Sequence, residues 1–122
     1  MPTTGPDFVS LQVRDLEASA RFYEEVVGLA RVPAPNPGAA IFQAGDGVAF
    51  AVREPFPGVD LDAAPLGVGV GIWFHADDVP GLHVRLVDHG APVVQEPVDG
   101  PFGLQLAFQD PDGYVITAHS RA

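Results

Sequence analysis

The chain has 122 residues, of which 47% are hydrophobic, and 16 acidic residues outweigh six basic ones to give a net charge of −10. This length suits one compact domain, or two half-domains that share a core. The charge disfavours binding to nucleic acid and favours encounter with cationic small molecules, although an acidic surface also serves solubility alone. Without cysteine there is no disulfide or thiolate chemistry. The opening MPTTGPD is not typical of a signal peptide, and no apolar run reaches the length of a membrane span. We therefore expect a cytoplasmic protein with neither a membrane nor a nucleic-acid partner.

The first strand and helix lie between Phe8 and Leu29. Apolar residues alternate along the strand, and Asp15 follows it where a helix N-cap belongs. Gly28 is placed to end the helix in the left-handed conformation. Between these caps the apolar positions recur at spacings of four, three and four, at Leu16, Ala20, Tyr23 and Val27. The pattern predicts a strand–helix unit with one buried face.

Three more strands complete the first half. They are predicted at 30–32, 39–44 and 48–54, with a loop over 33–38. The last two flank Gly45-Asp46-Gly47, because Asp-Gly between apolar runs favours a hairpin. The proline- and glycine-rich stretch that follows, about 55–68, predicts a linker at the midpoint of the chain.

A second copy of the pattern follows the linker. Asp78 corresponds to Asp15 at an offset of 63 (78 − 15), which is close to half the chain. A strand is predicted at 69–76, then a helix that Asp77 or Asp78 caps and Gly90 ends. Further strands are predicted at 91–98, 104–109 and 114–120. The chain therefore reads as one domain of two βαβββ repeats, about 7–54 and 69–120.

The duplicated βαβββ pattern, the strand–Asp–Leu–helix opening and the closing FQDPDGYVI (residues 108–116) resemble the vicinal oxygen chelate superfamily. Glyoxalase I, extradiol dioxygenases and bleomycin-resistance proteins belong to it, and the resemblance covers residues 8–119. It implies an α+β fold in which two βαβββ repeats form a curved mixed sheet around a cavity. Resemblance to the bleomycin-resistance branch further implies a homodimer. The fold alone does not define a function.

The resemblance also raises the question of a metal ion, because enzymes of that superfamily hold a divalent ion on four strands. The positions that match are Phe8, Ala51, Gly71 and Thr117. The first three have no side-chain donor atom, and a neutral hydroxyl is a weak ligand. We therefore predict no metal and no other cofactor. A displaced site made of Gln12, His75 and His119 is the alternative.

Without an ion, the predicted site is a small-molecule pocket with no catalytic residue. Trp73 has the same strand parity as the metal positions, where an indole could stack on an aromatic ligand, face a cation or fill the core. The predicted lining consists of Phe8, Ser10, Gln12, Ala51, Gly71, Trp73, His75, Phe102, Gln105, Thr117 and His119. This pattern favours a binding protein that sequesters a cationic or aromatic, antibiotic-like ligand. A lyase or dioxygenase with a displaced metal or a histidine base, and an accessory domain with a vestigial pocket, are the alternatives.

Overall fold

The computed structural model describes residues 2–43 and 48–121. Contacts divide the chain into two compact units, the first as far as Ala63 and the second from Ala64 onward. The predicted hairpin turn Gly45-Asp46-Gly47, and Ala44 at the end of a predicted strand, lie outside the described residues. We retain the predicted limits of the repeats and of the linker as a proposal. No helix in the described ranges is long and apolar enough to cross a membrane.

The first unit contains a four-stranded mixed sheet in the order β1-β4-β3-β2. Its strands are β1 (Phe8–Gln12), β2 (Arg31–Val32), β3 (Ala39–Phe42) and β4 (Ala49–Arg53). The β1–β4 pair is parallel and the other two pairs are antiparallel. Helix α1 (Leu16–Arg21) follows β1 and continues as a π-helix over Phe22–Val27.

The second unit repeats this arrangement in the order β5-β8-β7-β6. Its elements are β5 (Ile72–His75), α2 (Val79–His89), β6 (Val93–Gly100), β7 (Gly103–Gln109) and β8 (Val115–His119). Only the β5–β8 pair is parallel. The α+β class and the two βαβββ repeats are therefore confirmed, and the strands form two four-stranded sheets rather than one.

Both predicted caps of the first helix are confirmed. The Asp15 carboxylate accepts a hydrogen bond from the Ala18 N–H at 3.1 Å, and Gly28 has φ 93°. The buried face differs from the predicted one, since Leu16 and Val27 are only partly buried. A π-helix has a wider turn than an α-helix and shifts which positions share a face. The buried apolar residues are consequently Ala20, Phe22, Tyr23 and Val26.

Helix α2 has the caps that its sequence predicts. Of the two candidate aspartates, Asp78 is the cap, and its Oδ1 accepts from the Gly81 N–H at 3.0 Å. Gly90 ends the helix with φ 85°. Helix α2 packs on β6 and β7. The core of this unit contains Val79, Leu82 and Leu86 from the helix and Leu106, Phe108, Ile116 and Ala118 from the sheet, all buried.

The fifth strand is shorter than predicted and excludes Gly71. The sequence predicts a strand over 69–76, but β5 begins at Ile72. Gly67 and Gly69 have φ of 73° and 86°, and the Val70 N–H donates to the Gly67 carbonyl at 3.1 Å. Residues 67–70 therefore form a turn rather than extended backbone, and Gly71 lies just before the strand.

The sixth strand lies two residues further along the chain than predicted. It spans Val93–Gly100 rather than 91–98, and its register to β7 shifts between Gln95 and Val98. Pro97 lies inside that shift, where its missing N–H removes no regular ladder hydrogen bond. The irregularity therefore lets the strand continue past the proline.

Candidate ligand-binding site

In the first unit, the predicted site residues follow the alternation of β1. Phe8, Ser10 and Gln12 share one face, and the register places Ser10 beside Ala51 and Gln12 beside Arg53. Phe8 is 52% exposed, whereas Ala51 is buried. Phe8 therefore offers an apolar surface, and Ala51 offers at most a methyl group.

Gln12 and Arg53 lie at one end of this face, and both contact Phe56. Its backbone N–H donates to the Gln12 Oε1 at 2.8 Å, and the Arg53 guanidinium carbon lies 3.7 Å from its ring centroid. A cation over an aromatic face is a favourable contact. Arg53 was not among the predicted site residues, although its position two residues after Ala51 gives it the same strand parity.

In the second unit, four ring-bearing residues form what we call the aromatic cluster: Trp73, His75, Phe102 and His119. Three of them share one face of the sheet, because Trp73 pairs with Thr117 and His75 pairs with His119. Phe102 comes from the turn before β7. Ring centroids lie 5.7 Å apart for Trp73–Phe102, 5.9 Å for Trp73–His119, 6.0 Å for His75–His119 and 6.1 Å for Phe102–His119.

The two large rings of the aromatic cluster are half exposed. Trp73 is 48% exposed to solvent and Phe102 is 52% exposed. The core of the second unit is on the opposite face of the sheet, so the indole does not fill that core. A Cβ at Gly71 would lie 3.5 Å from the indole Nε1, so the glycine adjoins the cluster without being required for space. The cluster is therefore an accessible aromatic surface of the second unit.

Polar groups lie within and beside this surface. The His75 Nε2 is 3.3 Å from the Ser120 carbonyl oxygen, and its Nδ1 is 3.7 Å from the Asp77 Oδ1. The His119 Nδ1 is shielded from solvent and has no hydrogen-bond partner among the residues that the structure describes. Gln105, the register partner of His119, donates through Nε2 to the Gln95 Oε1 at 3.3 Å.

The last two described residues hold the Phe102 turn in place. The Leu104 N–H donates to the Ser120 Oγ at 2.9 Å, and the Ser120 N–H donates to the Leu104 carbonyl at 3.0 Å. The Arg121 N–H donates to the Phe102 carbonyl at 3.0 Å, and its Nη1 donates to the Pro101 carbonyl at 2.7 Å. These four hydrogen bonds, which no local sequence pattern predicts, fix the position of Phe102.

The residues at the four family metal positions do not fit a divalent ion. Phe8, Ala51 and Gly71 have no donor atom, and the Thr117 hydroxyl is a weak ligand. Over residues 2–43 and 48–121, no three His, Cys, Asp or Glu side chains come together in a way that could hold a metal. Of the displaced set, Gln12 belongs to the first unit and uses its Oε1 for the Phe56 N–H, while His75 and His119 are neighbours in the second.

Comparisons with known proteins agree with this fold. The model of the Glyoxalase/Bleomycin resistance protein/Dioxygenase superfamily matches residues 5–117. TnmS3, an antibiotic binding protein from Streptomyces sp. CB03234, is 28% identical with a TM-score of 0.74, and the match covers 100% of this chain and 99% of that one. A glyoxylase/bleomycin resistance protein/dioxygenase domain from Frankia sp. EAN1pec is 26% identical with a TM-score of 0.75, covering 98% and 99%. Lactoylglutathione lyase from Agrobacterium tumefaciens is 26% identical with a TM-score of 0.69, covering 98% and 95%. No curated protein sequence matched. The chain therefore belongs to the glyoxalase/bleomycin resistance protein/dioxygenase superfamily.

Proposed function

We propose that this protein binds and sequesters a small aromatic or cationic, antibiotic-like ligand without the help of a metal ion. The observation that carries the proposal is the half-exposed indole of Trp73, which lies edge-on to Phe102 and beside His119. Large aromatic side chains with a few polar groups are typical of small-molecule sites. The predicted lining residues of both units remain part of this proposal.

Chemistry and charge both support a ligand of this kind. An indole face attracts planar rings by stacking and cations by its quadrupole, and each interaction contributes about 0.5–2 kcal/mol. The net charge of −10 raises the encounter rate of a cation. TnmS3, to which the chain is similar over its whole length, is an antibiotic binding protein. The misfit of the four metal positions also favours binding over metal-assisted chemistry at those positions.

Bleomycin, a cationic glycopeptide with aromatic rings, is the first probe. Since Trp73 is the only tryptophan, its fluorescence reports on the aromatic cluster directly. We expect a saturable change in emission and a binding heat at micromolar concentration, and we expect Trp73→Leu to weaken the calorimetric affinity at least about tenfold, which is about 1.4 kcal/mol. Val87→Ala, on the exposed surface of α2, is the matched control and should bind like the parent protein. The absence of both signals would refute the antibiotic version, and an unchanged affinity in Trp73→Leu would refute the site.

An enzyme is the second candidate, and the similarity to a lactoylglutathione lyase favours it. In that case His75 or His119 would act as a general base. Incubation with the hemithioacetal of methylglyoxal and glutathione distinguishes the two, because only the enzyme should convert it to the thioester S-lactoylglutathione. Elemental analysis of protein purified without chelators is the second check, since one tightly held divalent ion per chain would overturn the metal-free proposal.

A further inference from the structure

We propose that His75 and His119 together form a site for one divalent ion of the copper, nickel and zinc class. This site differs from the four family positions and needs no ligand bound to the aromatic cluster. It rests on three observations: the pairing of the two histidines across strands, the unpartnered nitrogen of His119 and the contacts that orient His75.

The geometry suits two imidazoles on one ion. His75 and His119 are register partners on the parallel strands β5 and β8, so their side chains leave the same face of the sheet. Their ring centroids are 6.0 Å apart and their planes are inclined by 80°. Two imidazole nitrogens that each lie about 2.0–2.1 Å from one ion would place their ring centroids about 4.5–6.4 Å apart. The lower value applies when the nitrogen–ion–nitrogen angle is a right angle, and the upper value when the three atoms are in line. The observed separation lies within that range.

The His119 Nδ1 provides the second observation. This atom is shielded from solvent and has no hydrogen-bond partner in the described part of the chain. A shielded polar nitrogen without a partner is unfavourable, because it has given up its hydrogen bond to water. An ion bound through the lone pair of this nitrogen would supply the missing interaction.

His75 has contacts of the kind that orient a metal-binding imidazole. Histidine ligands commonly direct their other ring nitrogen to a carbonyl or a carboxylate. The His75 Nε2 is 3.3 Å from the Ser120 carbonyl oxygen, which can only accept, so Nε2 is the orienting donor. The Nδ1, which is 3.7 Å from the Asp77 Oδ1, is then the nitrogen that would bind the ion. The Asp77 carboxylate also contributes a negative charge near the ion.

The ligand set defines the class of ion and the strength of binding. Imidazole suits copper, nickel and zinc, and of the divalent ions Cu²⁺ binds such sites most tightly. No third His, Cys, Asp or Glu joins the pair within residues 2–43 and 48–121, so water would complete the coordination from the side of His75, whose side chain is 44% exposed. We therefore expect an ion that is lost on dialysis and regained when it is added, which is consistent with a protein that is metal-free as purified.

Titration of dialysed, tag-free protein with CuSO₄ tests the site with the metal alone. Trp73 lies 5.9 Å from His119 between ring centroids, so a paramagnetic ion at the histidines should quench its emission. We expect quenching that saturates at one ion per chain and is reversed by excess EDTA. His75→Gln and His119→Gln should each weaken the apparent affinity at least tenfold.

Two controls separate this site from non-specific binding. His89→Gln removes an imidazole from the end of α2 and should leave the titration unchanged. The circular dichroism of His75→Gln, at a side chain that is 44% exposed, should match that of the parent protein. Quenching without saturation, or equal affinity in the parent protein and both site variants, would overturn the proposal. Because no organic ligand is present, the result is independent of the bleomycin experiment.

Discussion

Asp110 is a carboxylate whose burial has a structural explanation. It is only 4% exposed, and its Oδ1 accepts from the backbone N–H groups of Asp112 at 2.9 Å and Tyr114 at 3.0 Å. Its own N–H donates to the Tyr114 carbonyl at 2.9 Å. The aspartate therefore closes the turn that leads into β8, the strand that carries His119. Within the motif that suggested the family, this residue supports the site without belonging to it.

We expect Asp110→Ala to destabilise the protein. The substitution leaves two backbone N–H groups without their acceptor, at a cost of about 1–3 kcal/mol for each group that stays buried. Chemical denaturation should therefore show a loss of about 2 kcal/mol or more in the free energy of unfolding. Asp110→Asn keeps an acceptor oxygen and is the matched control, with a smaller expected loss. Equal stability of Asp110→Ala and the parent protein would contradict this account.

At the scale of elements, the turn between β6 and β7 is the part of the site under the tightest steric constraint. Gly103 has φ 85°, and a Cβ there would lie 2.5 Å from the Ser120 Oγ and 3.0 Å from the Arg121 backbone nitrogen. These are the residues that hold the turn. Glycine is thus required at this position for its backbone conformation and for its lack of a side chain.

We expect Gly103→Ala to move Phe102 away from Trp73. The left-handed conformation costs an alanine about 1–2 kcal/mol, and the steric overlap adds to this by separating residues 120–121 from the turn. Thermal unfolding should occur at a lower temperature, and the emission of Trp73 should change in the folded protein. Gly90→Ala has the same φ of 85°, but beyond its chain neighbours no atom of the described residues lies within 4 Å of the added Cβ, so it isolates the backbone cost. If Gly103→Ala leaves the emission of Trp73 unchanged, the turn does not position Phe102.

Local signals made much of the fold predictable. Asp15, Gly28, Asp78 and Gly90 are caps whose chemistry depends only on adjacent backbone groups, and each is where the sequence predicts it. The π-helix was not predictable, because the spacing of its apolar residues also fits an α-helix. The late start of β5 was missed because its valine–glycine alternation is also compatible with a turn.

The strand face of the candidate site residues was predictable, but their tertiary contacts were not. Strand alternation placed Trp73, His75 and His119 on one face, since the period of two is a property of the backbone. The contacts of Phe102 with residues 120–121, and of Phe56 with Arg53, join segments that only tertiary structure brings together. No periodicity in the sequence reports such contacts.

At the scale of the molecule, the two units share a framework and differ in the residues placed on it. Val9 pairs with Phe50 and Ile72 pairs with Ile116, which gives offsets of 63 (72 − 9) and 66 (116 − 50) between the units. The same offsets relate Gln12 and Arg53 of the first unit to His75 and His119 of the second.

Equivalent positions therefore carry different chemistry in the two units. In the first they hold the chain's own Phe56, through a hydrogen bond to Gln12 and a stacked guanidinium of Arg53. In the second they belong to the half-exposed aromatic cluster. The two surfaces are similar in position, and the proposed ligand recognition by stacking belongs to the second.

Each sheet has an edge strand to which a strand of another chain could pair, and we propose that the protein forms a homodimer through these edges. Strands β1 and β5 are edge strands, and each pairs with one neighbour inside its own sheet. Apolar side chains lie at or near their starts, with Phe8 52%, Val70 66% and Val68 77% exposed. Unpaired strand edges with apolar neighbours readily accept another strand, and a second copy of the chain offers the same elements.

We therefore expect sedimentation equilibrium to show a dimer that dissociates on dilution. Val68→Lys should weaken the association at least about tenfold, or about 1.4 kcal/mol, because it places a charge among apolar contacts. Val84→Lys makes the same change at a 58% exposed position of α2, outside the strand edges, and should leave the equilibrium as it is. A monomer at every concentration would exclude the dimer. A dimer that Val68→Lys and Val84→Lys affect equally would place the interface elsewhere than near the start of β5.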